Sequence, residues 1–306
     1  MLTQPQLQRF AHESGIKSLE IVEKEVVLTY FLQLLSERGF LADMAFKGGT
    51  CIRKTWLGPN GRFSTDVDFT AMRQGKSADD FVLRLAEITA ETFHGIQFEI
   101  DMGDRGWYEA DDGISWGVLP IYRHVLGNGV LKLQVSNRET PTLPPDSRRQ
   151  LEVSYFKLLP FKPAELPCLR IEEILAEKIR ATYQRNKPRD IWDLHQFADR
   201  PFYEPLIRKL VIIKLWQVRD SFSPEHWNAK LAEAKAWDWA DLRQLVRGGV
   251  SDPGQMLERC ARRFAFLADM NADEAALAVD PHQRRHDVHE KLVADCNALA
   301  LEHRLT

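Results

Sequence analysis

The chain has 306 residues, 44% of them hydrophobic and 28% charged, which is the make-up of a globular protein long enough for two domains. Its net charge of −3 excludes a globally basic surface, so any RNA contact has to come from local patches. Cys51, Cys168, Cys260 and Cys296 show no CxxC spacing, which argues against a zinc site or a disulfide scaffold and fits a reducing cytoplasm. No run of ~18 apolar residues is present and no leader-like start is visible, so a cytoplasmic protein without a membrane partner is expected.

Residues 4–39 read as helical, with apolar pairs such as Val26-Val27, Tyr30-Phe31 and Leu34-Leu35 three to four apart and Gly39 as the stop. Residues 43–47 read as a short strand entering the turn Lys47-Gly48-Gly49-Thr50. Thr50 to Trp56 reads as a short helix, and Leu57-Gly58-Pro59-Asn60-Gly61 as a turn. A strand follows in Arg62-Phe63-Ser64-Thr65-Asp66-Val67-Asp68-Phe69. Ser77 to Phe93 reads as a helix capped by Ser77, with Asp79 and Asp80 in its first turn.

A β-rich run comes next: Ile96–Met102, Ile114–Val125 and Val130–Ser136. Asp111-Asp112-Gly113 and Gly127-Asn128-Gly129 are the turn signals between them, the second a hairpin signature. The prolines at 141, 144 and 145 and the stretch 160–167 read as the passage between domains. Helical patterns then cover 171–184, 189–198, 202–221, 224–234, 238–247, 253–269 and 285–302. The expected architecture is α+β: a first domain, 1–165, of helices and a small mixed sheet, then a helical domain, 166–306.

Residues two apart on a strand point the same way, so Asp66 and Asp68 project together while Val67 and Phe69 face the other side. Paired carboxylates repel unless a cation lies between them, and Mg²⁺ favours one or two carboxylates plus nucleotide phosphates. The Gly48-Gly49 turn leaves backbone N–H groups open to such phosphates. The bland alternative is a tight turn beside two solvated acids. On the strand Val130–Ser136, Lys132, Gln134 and Ser136 share a face, and Gln134 stands where a neighbouring strand often adds a third acid. Either two carboxylates suffice for the metal or Asp101 contributes, the former being favoured.

Further along, Ile171, Ile174, Leu175 and Ile179 form a buried helical stripe with Lys178 beside it. Lys178 could reach inward to bind triphosphate, or pair with a glutamate on the surface. In Arg185-Asn186-Lys187-Pro188-Arg189-Asp190-Ile191-Trp192-Asp193, the two acids share a helix face. Asp190 could orient Lys178 or Arg189, or merely cap the helix. His282, His286 and His289 have no acid or Cys pattern to complete a metal site and read as a solvated helix face, and His195 as a ring packed beside Trp192.

Phe46-Lys47-Gly48-Gly49-Thr50, Arg62–Phe69, Glu177-Lys178-Ile179-Arg180-Ala181 and Pro188–Leu194 occur in that order, and together they resemble the AbiEii/AbiGii nucleotidyltransferase toxins, relatives of the MenT toxins in the DNA polymerase β-like superfamily. The motifs span residues 46–194, and no single one is specific. The resemblance implies a polymerase β-like nucleotidyltransferase domain followed by a helical C-terminal domain. It implies a toxin of a toxin–antitoxin or abortive-infection module, with an antitoxin protein as partner. The implied reaction adds nucleotides from an NTP to an RNA 3′ end, such as that of tRNA, and so blocks translation.

By the same resemblance Asp66 and Asp68 bind Mg²⁺ or Mn²⁺. Lys47, Gly48, Gly49, Thr50, Arg53 and Lys178 bind nucleotide, with the Thr50 hydroxyl on phosphate. Lys178 and Asp190 join the Asp pair as catalytic residues, Asp193 being a rival for Asp190. Arg180, Arg185, Lys187 and Arg189, with Arg53 and Lys54, would rim the RNA end. The chain departs from the family pattern in a long interval between Thr50 and Asp66 and in Gln134. The alternatives are transfer of a nucleoside monophosphate to a protein or small-molecule hydroxyl, and a nucleotide-binding module that has lost catalysis.

Overall fold

A glycine breaks the first predicted helix. The computed structural model describes residues 1–73, 77–103, 106–109, 115–250 and 252–303. Helix α1 (Gln4–Ser14) ends where Gly15 turns left-handed at φ 69°. Ser18 then recaps the chain by accepting the Ile21 N–H, and α2 (Leu19–Glu37) begins. The expected single helix over 4–39 is therefore two.

Strand β1 (Met44–Lys47) runs into the short helix α3 (Gly48–Ile52), which continues as a π-helical turn, Arg53–Leu57. Then come β2 (Asp66–Ala71), α4 (Ala78–Thr89), β3 (Gln97–Glu99), β4 (Trp107–Glu109), β5 (Trp116–Val118), β6 (Ile121–His124), β7 (Gly127–Val130), β8 (Lys132–Ser136), β9 (Asp146–Arg148) and β10 (Leu166–Cys168). Seven strands make one mixed sheet in the order β4-β5-β8-β2-β1-β10-β9, with β2–β8 and β1–β10 parallel. Strands β3, β6 and β7 make a second, antiparallel sheet.

One expected strand is broken and one expected turn is moved. The run 114–125 divides at Leu119-Pro120, because proline cannot donate into a ladder. The hairpin β6–β7 turns at Val125-Leu126 rather than at Gly127-Asn128-Gly129, which lies within β7. Gly129 sits opposite Tyr122, whose ring lies against it and would overlap any Cβ there. The Asp111-Asp112-Gly113 signal lies outside the described residues. The stretch 160–167, expected as a passage, ends in β10, which pairs with β1 and β9.

The chain divides into two compact units. The first comprises Met1–Pro141, Pro145–Cys168 and Arg243–Gly249 and holds both sheets. Its core lies on the face of the large sheet that carries Phe46, Phe69, Val135 and Trp116, a row of register partners on neighbouring strands. The second unit comprises Thr142–Pro144, Leu169–Leu242 and Val250–Thr306 and is helical. Its helices are α5 (Ile171–Gln184), α6 (Pro188–His195), α7 (Glu204–Gln217), α8 (Pro224–Glu233), α9 (Ala240–Leu245, whose last three residues belong to the first unit), α10 (Pro253–Arg263), α11 (Ala272–Ala278) and α12 (His286–Glu302). Helix α11 has no counterpart in the predicted set; its signal was Asn271 and Glu274, which form a capping box. Among the described residues no helix is long and apolar enough to cross a membrane.

Candidate active site

The face of the large sheet opposite its core carries one continuous row of polar register partners. Lys47 on β1 stands opposite Asp68 on β2, Asp68 beside Gln134 on β8, Gln134 opposite Gly117 on β5, and Gly117 opposite Tyr108 on β4. One step along, Asp66 stands beside Lys132. Partners in register share a face, so the sheet gathers two carboxylates, two lysines, an amide and a phenol on one surface. Val67 and Phe69 are fully buried on the other side, while Asp66 and Asp68 stay partly exposed.

The glycine turn lies directly against this row. Gly48 has a left-handed φ of 77°. A Cβ built on it would overlap Asp68 Oδ2 and stand 3.1 Å from the Asp68 Cβ and Cγ. A Cβ on Gly49 would overlap the Arg62 guanidinium. The two glycines therefore let a carboxylate and a guanidinium come down onto the backbone. Arg62 is buried and donates to the Phe63 carbonyl at 3.3 Å. No role was expected for it; its position four residues before Asp66 was the available signal. Tyr108 was also missed: it crosses Gly117, where a Cβ would overlap its ring, and receives the Gln134 Nε2 hydrogen at 3.0 Å.

Asp66 and Asp68 are hard oxygen donors on one strand face, with room over Gly48 for Asp68. This donor set fits a hard divalent ion whose shell is completed by phosphate oxygens and water. Among the described residues no group of three or more His, Cys, Asp or Glu is arranged to hold a metal. Asp101 follows β3 of the second sheet, and its carboxylate accepts the Gly103 N–H at 2.9 Å.

Three expected contacts are residues that the structure buries. Thr50 is wholly buried, and its hydroxyl donates to the Asp66 carbonyl, tying the turn to β2. Arg53, expected to touch nucleotide and RNA, lies inside the fold. It is 3% exposed, it donates to the carbonyls of Gly58 and Gly61, and its guanidinium lies 3.9 Å from the Phe63 ring centre. Lys54, expected on the RNA rim, is buried as well. Its Nζ meets Glu25 Oε1 at 2.9 Å, Thr29 at 2.7 Å and Tyr155 at 3.1 Å. The physical reason is Glu25 on α2, buried and ionised, which needs both cations around it. Burial would raise its carboxyl pKa, but Arg53 and Lys54 outweigh that and hold it below the usual range.

In the helical unit, Lys178 on α5 is nearly buried, and its Nζ lies 2.9 Å from Asp190 and 2.8 Å from Asp193 on α6. The alternative of a surface lysine paired with a helix glutamate is thereby excluded. Both acids, not one of two rivals, hold this lysine. Arg185 adds 2.9 Å and 3.2 Å hydrogen bonds to Asp190. Burial would raise the Asp190 pKa, but Lys178 and Arg185 hold the carboxyl well below the usual range. Of the other expected RNA contacts, Arg180 is half-buried and donates to the Lys214 carbonyl at 3.1 Å, Lys187 is exposed, and Arg189 is half-buried. His289, expected on a solvated face, is half-buried and stacks on Trp216 with ring centres 4.3 Å apart.

The model of the family described as "Nucleotidyl transferase AbiEii toxin, Type IV TA system" matches residues 30–269. The chain belongs to the AbiEii family. It is a nucleotidyltransferase toxin of a type IV toxin–antitoxin system. Among solved structures it is similar to MenT4, a nucleotidyltransferase toxin from Mycobacterium tuberculosis H37Rv, with 28% identity, 97% of this chain and all of that chain covered, and a TM-score of 0.80. JHP933 from Helicobacter pylori is more distant, at 18% identity and a TM-score of 0.48 over 94% of this chain and 99% of that chain. Among curated proteins none shows significant sequence similarity. The α+β architecture with a mixed sheet agrees with the fold that the motifs implied.

Proposed function

We propose that this AbiEii enzyme transfers a nucleoside monophosphate from an NTP to the 3′-hydroxyl of an RNA, a tRNA in the cell, and so stops translation. The supporting observation is the sheet row in which Asp66 and Asp68 stand together beside Lys47 and Lys132, over a turn without side chains. Bound Mg²⁺ or Mn²⁺ supplies a Lewis acid that stabilises charge on the attacking and leaving oxygens. Asp66 and Asp68 hold that ion. The Gly48 and Gly49 amides and Lys47 receive phosphate oxygens. The 3′-hydroxyl gives up its proton to solvent water as its oxygen forms the new bond to the α-phosphorus, the bond from that phosphorus to the bridging oxygen breaks, and pyrophosphate leaves with the electron pair. Lys178, set by Asp190 and Asp193, supplies positive charge to the triphosphate, as the family pattern assigns. Arg180, Arg185, Lys187 and Arg189 are the candidates for contact with the RNA backbone, with Arg185 and Lys187 the most exposed of them. A neighbouring antitoxin protein restrains the activity in the cell.

The test is incubation of the purified chain with the four NTPs, Mg²⁺ and total RNA, followed by sequencing of RNA 3′ ends. Wild type adds nucleotides to tRNA ends, and Asp66→Ala adds none while keeping its melting temperature. Equal extension by a folded Asp66→Ala variant, or label from NTP appearing on protein instead of RNA, refutes the proposal.

A further inference from the structure

The sheet face has an unusual charge arrangement for a site that must hold a triphosphate. General two-metal phosphoryl chemistry places ions about 3.5–4 Å apart and needs enough carboxylates to hold both. Here the register supplies two carboxylates only. The neighbour of Asp68 on β8 is Gln134, an amide engaged with the Tyr108 hydroxyl at 3.0 Å. The neighbour of Asp66 on β8 is Lys132. No group of three or more His, Cys, Asp or Glu among the described residues is arranged to hold a metal there, and Asp101 lies in neither sheet, two residues past the end of β3.

Lys132 stands beside Asp66 in register and lies against the Tyr108 ring. It is partly exposed on the polar face, and its ammonium lies 5.9 Å from the centre of the Tyr108 ring. Tyr108 is itself fixed by crossing Gly117 and by the Gln134 amide. A lysine on this face beside an aspartate places an ammonium where a second divalent ion would otherwise sit. One divalent ion with Lys47 and Lys132 brings the same total positive charge as two divalent ions.

We propose that Lys132 takes the place of a second metal ion: it binds the phosphates of the nucleoside triphosphate beside Asp66, and the face takes up a single divalent ion per chain. This rests on the nucleotidyltransferase reading of the same face and adds its metal stoichiometry and a substrate-binding residue. Gln134, oriented by Tyr108, is the neutral residue that keeps the second ion out.

The experiment is Mn²⁺ binding followed by electron paramagnetic resonance on the full chain, with saturating α,β-methylene analogues of each NTP. One Mn²⁺ per chain is expected. Lys132→Met is expected to weaken analogue binding about tenfold, the scale of one lost charge-assisted contact, with Lys132→Arg restoring most of it. Gln134→Asp, which adds a third carboxylate, is expected to raise Mn²⁺ uptake towards two ions. Two ions on wild type overturn the single-ion inference and leave the nucleotidyltransferase reading standing. Undiminished analogue binding by Lys132→Met, or failure of Lys132→Arg to restore it, overturns the role of Lys132. Absence of analogue binding by wild type with all four NTPs overturns both the inference and the reading of this face.

Discussion

Gly48 is the residue at which backbone geometry and the proposed metal-binding carboxylates meet, and Gly48→Ala tests both. Its φ of 77° lies in the left-handed region, where a Cβ costs about 1–2 kcal/mol. The same Cβ would overlap the Asp68 carboxylate, a clash on the scale of overpacking, about 1–3 kcal/mol. Gly39 is the matched control: its φ is 66°, but a Cβ there meets nothing within 4 Å. Gly39→Ala should therefore show the backbone penalty alone, and Gly48→Ala about 1–3 kcal/mol more in denaturant unfolding. If Asp68 instead swings away to relieve the overlap, the two variants match in stability, but Gly48→Ala loses Mn²⁺ affinity. Urea unfolding and Mn²⁺ titration on both variants are the assays. Gly48→Ala with the stability of Gly39→Ala and the Mn²⁺ affinity of wild type would refute the reasoning.

Lys54→Met should lower stability by about 3–5 kcal/mol, because it strips one of two cations from the buried Glu25, and RNA affinity of the protein that remains folded should be unchanged; unfolding and RNA gel shift check this. Lys178→Met should destabilise the helical unit, since it leaves Asp190 and Asp193 buried with less compensation; adding Asp193→Asn should recover part of the melting temperature without recovering activity. Asp190 has a folded-state pKa held below its ordinary value of 3.8. Its ionised form therefore contributes stability that is fully present above about pH 4 and is lost as pH falls towards the folded-state value. Urea unfolding at a series of pH values should show Asp190→Asn less stable than wild type near neutrality, with a shallower loss of stability below about pH 4.

Local pattern was enough for the strand that carries Asp66 and Asp68, since alternation on a strand needs no partner to define two faces. It was enough for the helix containing Lys178 and for the Gly48-Gly49 turn. The motif order was enough for the AbiEii family. What it could not supply were relations between distant segments. Arg53 and Lys54 look like a basic rim until α2 brings Glu25 against them, twenty-eight and twenty-nine residues away in sequence. That the Thr50 hydroxyl meets the Asp66 carbonyl, sixteen residues on, was likewise not legible in the local pattern. Asp190 and Asp193 look like rivals until the packing of α5 on α6 gives Lys178 to both. The pairing of β8 with β2, more than sixty residues apart, decides that Lys132 and Gln134 stand beside the two aspartates. The physical reason is the same in each case. Periodicity and turn chemistry are set by neighbours along the chain, whereas the charge that a buried or sheet-bound group meets is set by the segment that folds against it.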